Sequence, residues 1–261
     1  MRRNEFRPTV GGAAGRNLSR HRRDQVSVPG GLRTSVIVPI YNEVDLVADL
    51  VRHLSSLDAH EIVVVDGGSS DGTWQRLQKL KTPALDCRQA RTGRASQMNS
   101  GALSATGRLL LFLHADSRLP RRALELVTDG LRRHRACRWG RFDVRFDRAG
   151  TLLKLVARAM NLRSAWTSIC TGDQAIFVYR DEFLDIGGFA PVALMEDIDL
   201  SRRLKRRSPP LRIRAPVTTS SRRWLAQGTL ATITWMWWLR WLYWRGVPAS
   251  ALAARYYAKL R

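Results

Sequence analysis

Acidic residues are scarce in this chain, which carries 22 Asp and Glu against 44 Lys and Arg and has a formal net charge of +22 over 261 residues. This excess indicates anionic partners: phosphates, nucleotides, lipid head groups or nucleic acid. Hydrophobic residues nevertheless make up 44% of the sequence, enough to bury the core of one large α/β domain. The composition therefore excludes a chain that is disordered throughout.

Cysteine is scarce as well. The three cysteines, Cys87, Cys137 and Cys170, are scattered and odd in number, and none belongs to a CxxC pair. This pattern argues against a disulfide framework and against a zinc site. We therefore expect a reduced, cytoplasmic environment.

The two glycine-rich nucleotide fingerprints, GxGxxG and GxxxxGK(S/T), are both missing. Their absence argues against a dinucleotide-binding Rossmann enzyme and against a P-loop NTPase. A nucleotide site in this chain must be built from other residues.

Long hydrophobic runs are missing too, since no segment offers the ~20 uncharged apolar residues that a membrane-spanning helix needs. The nearest approach, residues 225–244, is interrupted by Gln227 and Arg240. Tryptophans recur in this segment every three to four residues and lie beside arginines, a pattern typical of helices at a membrane interface. They are Trp237, Trp238, Trp241 and Trp244. We expect peripheral contact with the anionic inner face of the cell membrane. The alternative is that this stripe packs on the protein's own core.

Composition divides the chain into three segments. Residues 1–33 contain eight arginines among glycine and proline, with no apolar stretch behind them. They are predicted to form a basic disordered leader and not a secretory signal peptide. Residues 34–224 have the patterns of one folded domain, and residues 225–261 are predicted to form an amphipathic, Trp-rich helical appendage.

Apolar runs alternate with helical periods in the first half of that domain. The runs at 34–40, 61–66 and 109–113 are continuous, as in parallel strands that helices cover on both faces. The expected fold class is α/β, with a doubly wound, mostly parallel sheet.

The second half is less regular. Residues 141–146 alternate like an antiparallel or edge strand, and residues 151–162 have a helical period. Residues 175–179 indicate a buried strand, and Pro209–Pro210 is expected to end a basic helix. This half is therefore predicted to be mixed.

Polar residues follow each of the three apolar strands, at 39–43, 66–73 and 114–117. In open parallel sheets, ligands bind beyond the carboxyl ends of the strands. A carboxylate that closes a buried strand needs a partner, and we expect Asp66 to accept hydrogen bonds from a base or ribose. Asp71 is a second candidate, with helix N-capping as its alternative role.

His114 and Asp116 lie two residues apart on an extended segment, so both side chains can point the same way. The pair suits a Mn²⁺ or Mg²⁺ ion that bridges a diphosphate. Arg94 opens a predicted helix and could hold the same diphosphate with help from the helix dipole. Its alternative is an exposed surface arginine.

Two further clusters lie near the end of the domain. Glu196, Asp197 and Asp199 either offset the arginines that follow them or supply a general base. The other cluster could bind a pyrophosphate or a sugar face, or begin the aromatic helix: Arg222, Arg223 and Trp224. Together, these candidates would supply four functions: nucleotide binding, a divalent metal site, a general base and cations for a departing diphosphate. This combination indicates the transfer of a group from an activated nucleotide.

In this order, five motifs resemble a family 2 glycosyltransferase of the GT-A fold: SVIVPIYNE, VVDGGSSDGT, LFLHADS, GDQAIF and GGFAPVALMEDIDL. The resemblance runs from about residue 34 to 224. It implies a Rossmann-like nucleotide-binding half and a mixed acceptor half. GRASQMNSGA and SSRRW resemble a bacterial subgroup linked to carotenoid-acid (diaponeurosporenoate-type) or arsenosugar glycosylation.

The resemblance also implies an inverting transfer from a UDP- or GDP-sugar with Mn²⁺ or Mg²⁺, to an acceptor that could be lipid-like or carotenoid-like. Asp197 would be the catalytic base, and Glu196 would orient either this base or the acceptor. Donor contacts would come from Pro39, Tyr41, Glu43, Asp66, Gly68, Asp71, Arg94, Gln97, Asn99 and Asp116. Acceptor or diphosphate contacts would come from Gly172, Asp173, Gln174, Arg222, Arg223 and Trp224.

The sequence departs from the family pattern at two positions. His114 stands where the first Asp of the family's DxD motif would be, so the expected metal ligands are Asp116 and His114. Ser220 stands where the QxxRW motif of processive members has Gln, so polymerisation is not implied.

Two other functions remain open from the sequence. A nucleotidyltransferase shares the fold type and the metal, but PIYNE is not its glycine-rich signature. A basic protein that binds nucleic acid or an anionic membrane without catalysis would explain the net charge. No zinc finger, helix-turn-helix or RNA-binding aromatic signature is present, and we expect no specific nucleic-acid partner.

Overall fold

The computed structural model describes residues 31–82, 84–148 and 150–260. All of them belong to one compact unit. The predicted basic leader lies outside the described residues, apart from its last three positions.

Within the described ranges, eight strands form one sheet in the order β3-β2-β1-β4-β7-β6-β8-β5. The strands are β1 (Thr34–Ile40), β2 (Glu61–Asp66), β3 (Leu85–Gln89), β4 (Leu109–Phe112), β5 (Ser117–Arg118), β6 (Trp139–Phe146), β7 (Phe177–Tyr179) and β8 (Pro210–Thr219). The first four are parallel. Antiparallel pairs of β7 with β4 and β6, and of β5 with β8, make the other half mixed. The expected α/β class with a mostly parallel sheet is confirmed.

Helices connect the strands and continue beyond the sheet. They are α1 (Val47–Ser55), α2 (Thr73–Leu80), α3 (Arg94–Ser104), α4 (Ala123–Arg133), α5 (Thr151–Thr167), α6 (Arg180–Asp185), α7 (Glu196–Leu204), α8 (Arg222–Ala226), α9 (Thr229–Trp244) and α10 (Ala249–Leu260). Short 3-10 turns occupy Val44–Leu46 and Gly172–Gln174.

The sheet is covered on both faces, as the continuous apolar strands predict. Val36 and Val38 of β1 pack into a cluster with side chains of α1, α2 and α4. Ile37, between them, points to the opposite cluster, which contains side chains of α3, α6 and α7. Burying one such side chain contributes about 1.5–3 kcal/mol, so both helical layers are stabilised by the same strands.

Residues 141–146 were expected to form an antiparallel or edge strand, and the antiparallel expectation is wrong for them: they pair in parallel with β8, whereas only Trp139 and Gly140 of β6 pair antiparallel with β7. The edge expectation is wrong as well, because β6 lies inside the sheet between β7 and β8. Pro210 opens β8, a strand that the sequence did not predict because its residues 212 and 214 are arginines. β3 also lacked an apolar run and was not predicted.

Two of the polar positions in the alternating apolar and polar sequence of β6 are occupied by buried charged residues. Arg141 is 2% exposed and Asp143 is 8% exposed, although both occupy the polar positions of the pattern. Asp143 accepts hydrogen bonds from Arg141 and from Arg212 of β8 at 2.8 and 2.9 Å. Because the charges compensate one another inside the sheet, polar positions do not mean a solvated face here.

The C-terminal segment packs on the domain and also exposes apolar side chains. Leu239 of α9 is fully buried beside Met195 and Ile198. By contrast, Trp237, Trp241 and Trp244 are 69%, 50% and 72% exposed. In the described part of the chain, no helix is long and apolar enough to cross a membrane.

Candidate active site

A pocket of about 270 Å³ lies at the carboxyl ends of β1 and β4, where open parallel sheets bind ligands. We call it the strand-end pocket. Eight of the residues singled out from the sequence line it: Pro39, Tyr41, Glu43, Arg94, Gln97, His114, Asp116 and Arg223.

Thr92 and Gly93 also line this pocket, and the sequence analysis did not select them as site residues. They belong to the segment after β3. That strand carries charged residues and was not predicted, so the segment was not recognised as a strand end. The 2.6 Å hydrogen bond from Thr92 Oγ1 to the Gly67 carbonyl ties it to the loop after β2.

Arg94 is the first residue of α3, as the sequence predicted. Gly93 before it has a φ of 127°, a conformation that side chains disfavour. Arg94 is therefore presented at a helix N-terminus, where the helix dipole favours anions. Its charge also lowers the pKa of Asp173.

Asp66 closes β2 and is fully buried, outside the lining of the strand-end pocket. Its carboxylate accepts hydrogen bonds from the backbone N–H groups of Gly68 and Ser69, both at 3.1 Å, and from Gln89 Nε2 at 3.2 Å. The partner that a buried carboxylate needs is thus supplied by the protein. A contact of Asp66 with base or ribose stays a prediction.

Asp71 and Gly68 shape the loop between β2 and α2. Asp71 accepts hydrogen bonds from the N–H of Thr73 at 2.9 Å and of Val44 at 3.1 Å. The first bond satisfies a donor at the start of α2, but the N-cap residue of this helix is Gly72, with no side-chain cap bond, so the N-capping alternative for Asp71 is wrong. Gly68 has a φ of 82°. Neither residue lines the pocket.

Gln97 and Asn99 join separate elements. Gln97 is 2% exposed, and its amide donates to the carbonyls of Ile40 and Val65 at 2.8 Å each. Asn99 donates to the carbonyl of Phe189 at 2.8 Å and accepts from its N–H at 2.9 Å. Gln97 therefore holds the ends of β1 and β2, whereas Asn99 fixes the segment that leads to α7.

His114 contacts two residues of the 3-10 turn. Its Nδ1 lies 3.3 Å from Oδ1 of Asp173, and its Nε2 lies so close to Gly172 that a Cβ added to this glycine would collide with it. Burial alone would raise the pKa of Asp173. The hydrogen bond from His114 and the charges of Arg94 and Arg223 outweigh that effect and lower the pKa to about 2.

Gln174 holds the same turn from the interior. It is fully buried, accepts a hydrogen bond from the N–H of Thr171 at 3.3 Å and donates to Ser164 Oγ of α5 at 3.0 Å. These bonds position Gly172 and Asp173, while Gln174 itself does not line the strand-end pocket.

Asp197 and Glu196 open α7 next to this turn. Asp197 accepts a hydrogen bond from the N–H of Gly172 at 2.9 Å, and both carboxylates line a small cavity with His114. Glu196 is 6% exposed. Its burial, and then the charge of Asp197, raise the pKa of Glu196.

The cluster at 222–224 divides between two roles. Arg222 donates to Glu43 at 2.9 Å, and Arg223, which lines the strand-end pocket, donates to Tyr256 Oη of α10 at 2.6 Å. Trp224 packs edge-on against Phe146, with ring centroids 5.3 Å apart. Trp224 therefore supports β6 and does not line the pocket.

Residues 35–187 match the family model described as Glycosyl transferase family 2. The chain belongs to this family. The matched segment includes every residue of the strand-end pocket except Arg223, and it ends before Glu196 and Asp197.

Known sugar transferases are similar to this chain in sequence or in fold. Over 107 residues the chain is 30% identical to a dolichol-phosphate mannosyltransferase of Pyrococcus furiosus, an alignment that covers 39% of this chain and 30% of that protein. The mannosyltransferase PcManGT of Pyrobaculum calidifontis, solved with GDP-Man and Mn²⁺, has a TM-score of 0.54 at 21% identity and covers 72% of this chain and 56% of its own.

S. aureus TarS 1-349 in complex with UDP-GlcNAc has a TM-score of 0.58 at 20% identity, over 72% of this chain and 58% of that one. These similarities confirm the GT-A type of fold. The chain spans about a third of the curated relative that it matches, and less than two thirds of the two solved structures.

A metal ion fits this family 2 chain only with ligands from outside the protein. Among the described residues, no group of three or more His, Cys, Asp or Glu could hold a metal. His114 turns Nδ1 to Asp173 and its Nε2 edge to Gly172. Of the two carboxylates that line the pocket, Glu43 pairs with Arg222, which leaves Asp116 as the candidate ligand. One carboxylate completed by water and substrate phosphates is a common Mg²⁺ arrangement.

Proposed function

We propose that this chain transfers a sugar from a UDP- or GDP-sugar to an acceptor, with inversion at the anomeric carbon. One observation carries the proposal: the strand-end pocket and the two carboxylates of α7 meet at one place. His114 lines both the pocket and the cavity beside Asp197. A donor held in the pocket is thereby brought next to a candidate base.

The pocket supplies what a nucleoside diphosphate requires. Pro39 and Tyr41 offer apolar surface for base and ribose, whereas Arg94 and Arg223 bring positive charge for the diphosphate. Asp116 would hold the Mn²⁺ or Mg²⁺ ion, which, when bound, neutralises charge that develops on the leaving diphosphate. The metal role predicted for His114 stays a prediction.

Asp197 is proposed as the general base. Its Oδ2 is held by the N–H of Gly172 at 2.9 Å, next to the turn that carries Asp173. In the proposed step, Asp197 takes the proton of the acceptor hydroxyl while the hydroxyl oxygen bonds to the anomeric carbon and the nucleoside diphosphate leaves. A carboxylate acceptor would be ionised already and would not need this base.

The acceptor is proposed to be lipid-like, and the protein to contact the anionic inner face of the membrane. The exposed tryptophans of α9 support this proposal, as does the absence of Asp and Glu from residues 222–261. Of the two acceptor classes that the subgroup resemblance implies, an amphiphilic carotenoid acid fits such a surface better than an arsenosugar.

Calorimetry tests the donor half of this proposal. We expect UDP or GDP, but not ADP, to bind tightly, and binding to require both Mn²⁺ and Asp116. Asp116→Ala removes the pocket carboxylate proposed to hold the metal, whereas Asp58→Ala removes an exposed carboxylate that does not line the strand-end pocket. Equal, salt-sensitive binding of all three nucleotides by both variants would instead indicate attraction by net charge alone.

A further inference from the structure

Two arginines beside the proposed base keep buried hydrogen-bond donors unused. Arg163 lies on α5 and Arg240 on α9. Nε and Nη2 of Arg163 and Nε of Arg240 are buried and have no hydrogen-bond partner among the described residues. Since buried charged donors are nearly always paired, their juxtaposition indicates a place for an anion.

The charge of Arg240 acts on Arg163, and the charge of Asp197 acts on both guanidinium groups. Burial, and then the charge of Arg240, lower the pKa of Arg163 to about 10, while Asp197 opposes that shift. Burial also lowers the pKa of Arg240, against the charges of Asp197 and Asp173. An oxyanion between the two arginines would relieve this repulsion and use the free donors.

The helices that carry these arginines expose apolar side chains next to them. On α5, Leu162 and Trp166 are 53% and 87% exposed, and on α9, Trp237 and Trp241 flank Arg240 at three residues before and one residue after it. Neither helix contains Asp or Glu. A ligand that reaches the arginines along these helices would meet no acidic side chain from either of them.

We propose that Arg163 and Arg240 form an oxyanion site for the head group of an amphiphilic acceptor, whose chain lies along the exposed faces of α5 and α9. This inference rests on the proposed function, because it assigns the site to the acceptor. It names the acceptor class as a long-chain amphiphile whose phosphate or carboxylate group is bound by the two arginines, apart from the hydroxyl that Asp197 would deprotonate. It also extends the lipid-contacting surface to α5, a helix that the sequence analysis did not select.

Calorimetric titration with dodecyl phosphate, below its micelle concentration, tests the site. We expect Arg163→Gln and Arg240→Gln each to weaken its binding at least about tenfold, whereas Arg158→Gln, at an exposed position of α5, leaves binding unchanged. Inorganic phosphate separates the two sources of the anion. If it binds these arginines as tightly as dodecyl phosphate does, the amphiphile proposal is overturned in favour of a free anion.

Thermal unfolding distinguishes a binding role from a structural one. An unsatisfied buried cation destabilises the native state, so Arg163→Met and Arg240→Met are expected to keep or raise Tm while they abolish dodecyl phosphate binding. A lower Tm in both variants would assign the arginines to the fold and overturn the proposal. Arg163→Lys and Arg240→Lys keep the positive charge but lack the paired N–H donors of the guanidinium group, so these variants should bind dodecyl phosphate with intermediate affinity.

Nucleotide titrations on the same variants separate this inference from the proposed function. Normal UDP or GDP binding, together with dodecyl phosphate binding that ignores both arginines, would overturn the inference alone. If wild type binds no nucleotide, the proposed function fails, and the assignment of the site to an acceptor fails with it.

Discussion

Arg222 Nη2 lies 2.9 Å from Glu43 Oε2 and 3.2 Å from Oε1, so that one guanidinium joins the segment after β8 to the segment after β1. Glu43 lines the strand-end pocket. The pair therefore closes one side of the proposed nucleotide site with residues that lie far apart in sequence.

Arg222→Gln should weaken UDP or GDP binding several-fold, because it leaves the charge of Glu43 uncompensated beside the diphosphate. The pair is partly exposed, so the free energy of unfolding should change by less than about 1 kcal/mol. Calorimetry and urea unfolding measure the two effects. Arg52→Gln, which breaks the exposed pair with Asp49, is the matched control. Unchanged nucleotide affinity in Arg222→Gln would contradict the prediction.

Asp197→Asn should lower kcat by roughly 10² to 10⁴ and leave donor affinity unchanged, since the amide cannot take the acceptor proton. Steady-state sugar transfer and donor titration measure these quantities. Asp199→Asn, on the same helix, removes the ion pair with Arg203 and should keep most of the activity. Full kcat in Asp197→Asn would show that the acceptor is acidic or that Asp197 is not the base.

Asp143→Ala should lower the free energy of unfolding by about 3–5 kcal/mol, because Arg141 would remain buried without its counter-charge. Arg141 is 2% exposed. Glu125→Ala removes the partner of Arg122 in an exposed pair and should cost less than about 1 kcal/mol. Similar urea midpoints for both variants would mean that the cluster in β6 and β8 is not a stabilising one.

His53 should make stability depend on pH. It accepts a hydrogen bond from the N–H of Leu119 at 3.1 Å, and burial, then the charge of Arg118, lower the pKa of His53 from 6.5 to about 4. Between these values the unfolded chain binds more protons than the native one, so stability falls as pH falls through that window.

Urea unfolding at pH 7 and pH 4.5 measures this dependence in wild type and in His53→Gln, which keeps a hydrogen-bond acceptor. Wild type should lose more stability than the variant over this interval. Equal losses would assign the pH dependence to other groups.

Membrane contact should depend on the exposed tryptophans of α9. The combined variant Trp237→Ser, Trp241→Ser and Trp244→Ser should float with phosphatidylglycerol vesicles about tenfold less than wild type. Leu103→Ser removes a side chain of α3 that is 69% exposed and should leave flotation unchanged. If both variants float like wild type, net charge and not the aromatic surface holds the protein to vesicles.

Local patterns account for the predicted part of the fold. β1, β2 and β4 are continuous apolar runs because helices cover both of their faces, and such runs are visible in the sequence. β3 and β8 were missed because they contain charged residues. Their strand conformation depends on pairing with neighbours, which a sequence pattern does not show.

The sequence indicated which residues belong near the candidate site better than it indicated where their side chains point. Arg94 begins α3 and Asp116 follows β4, two elements that the sequence predicts, and the structure brings both residues into one pocket. Asp66 was selected because it closes a strand, and Gln97 and Asn99 were selected through the family resemblance, yet the polar atoms of all three contact the protein's own backbone. A strand-end position does not tell which way a side chain turns.

The sequence by itself determined the doubly wound half of the sheet, the family and the positions of the polar strand ends, because each depends on residues close together in the chain. Only the tertiary structure decided which of those polar groups face a common pocket. It also placed Arg163 beside Arg240, from helices that are remote in sequence. Such pairs depend on packing between elements, and the free energy that fixes them comes from the whole core.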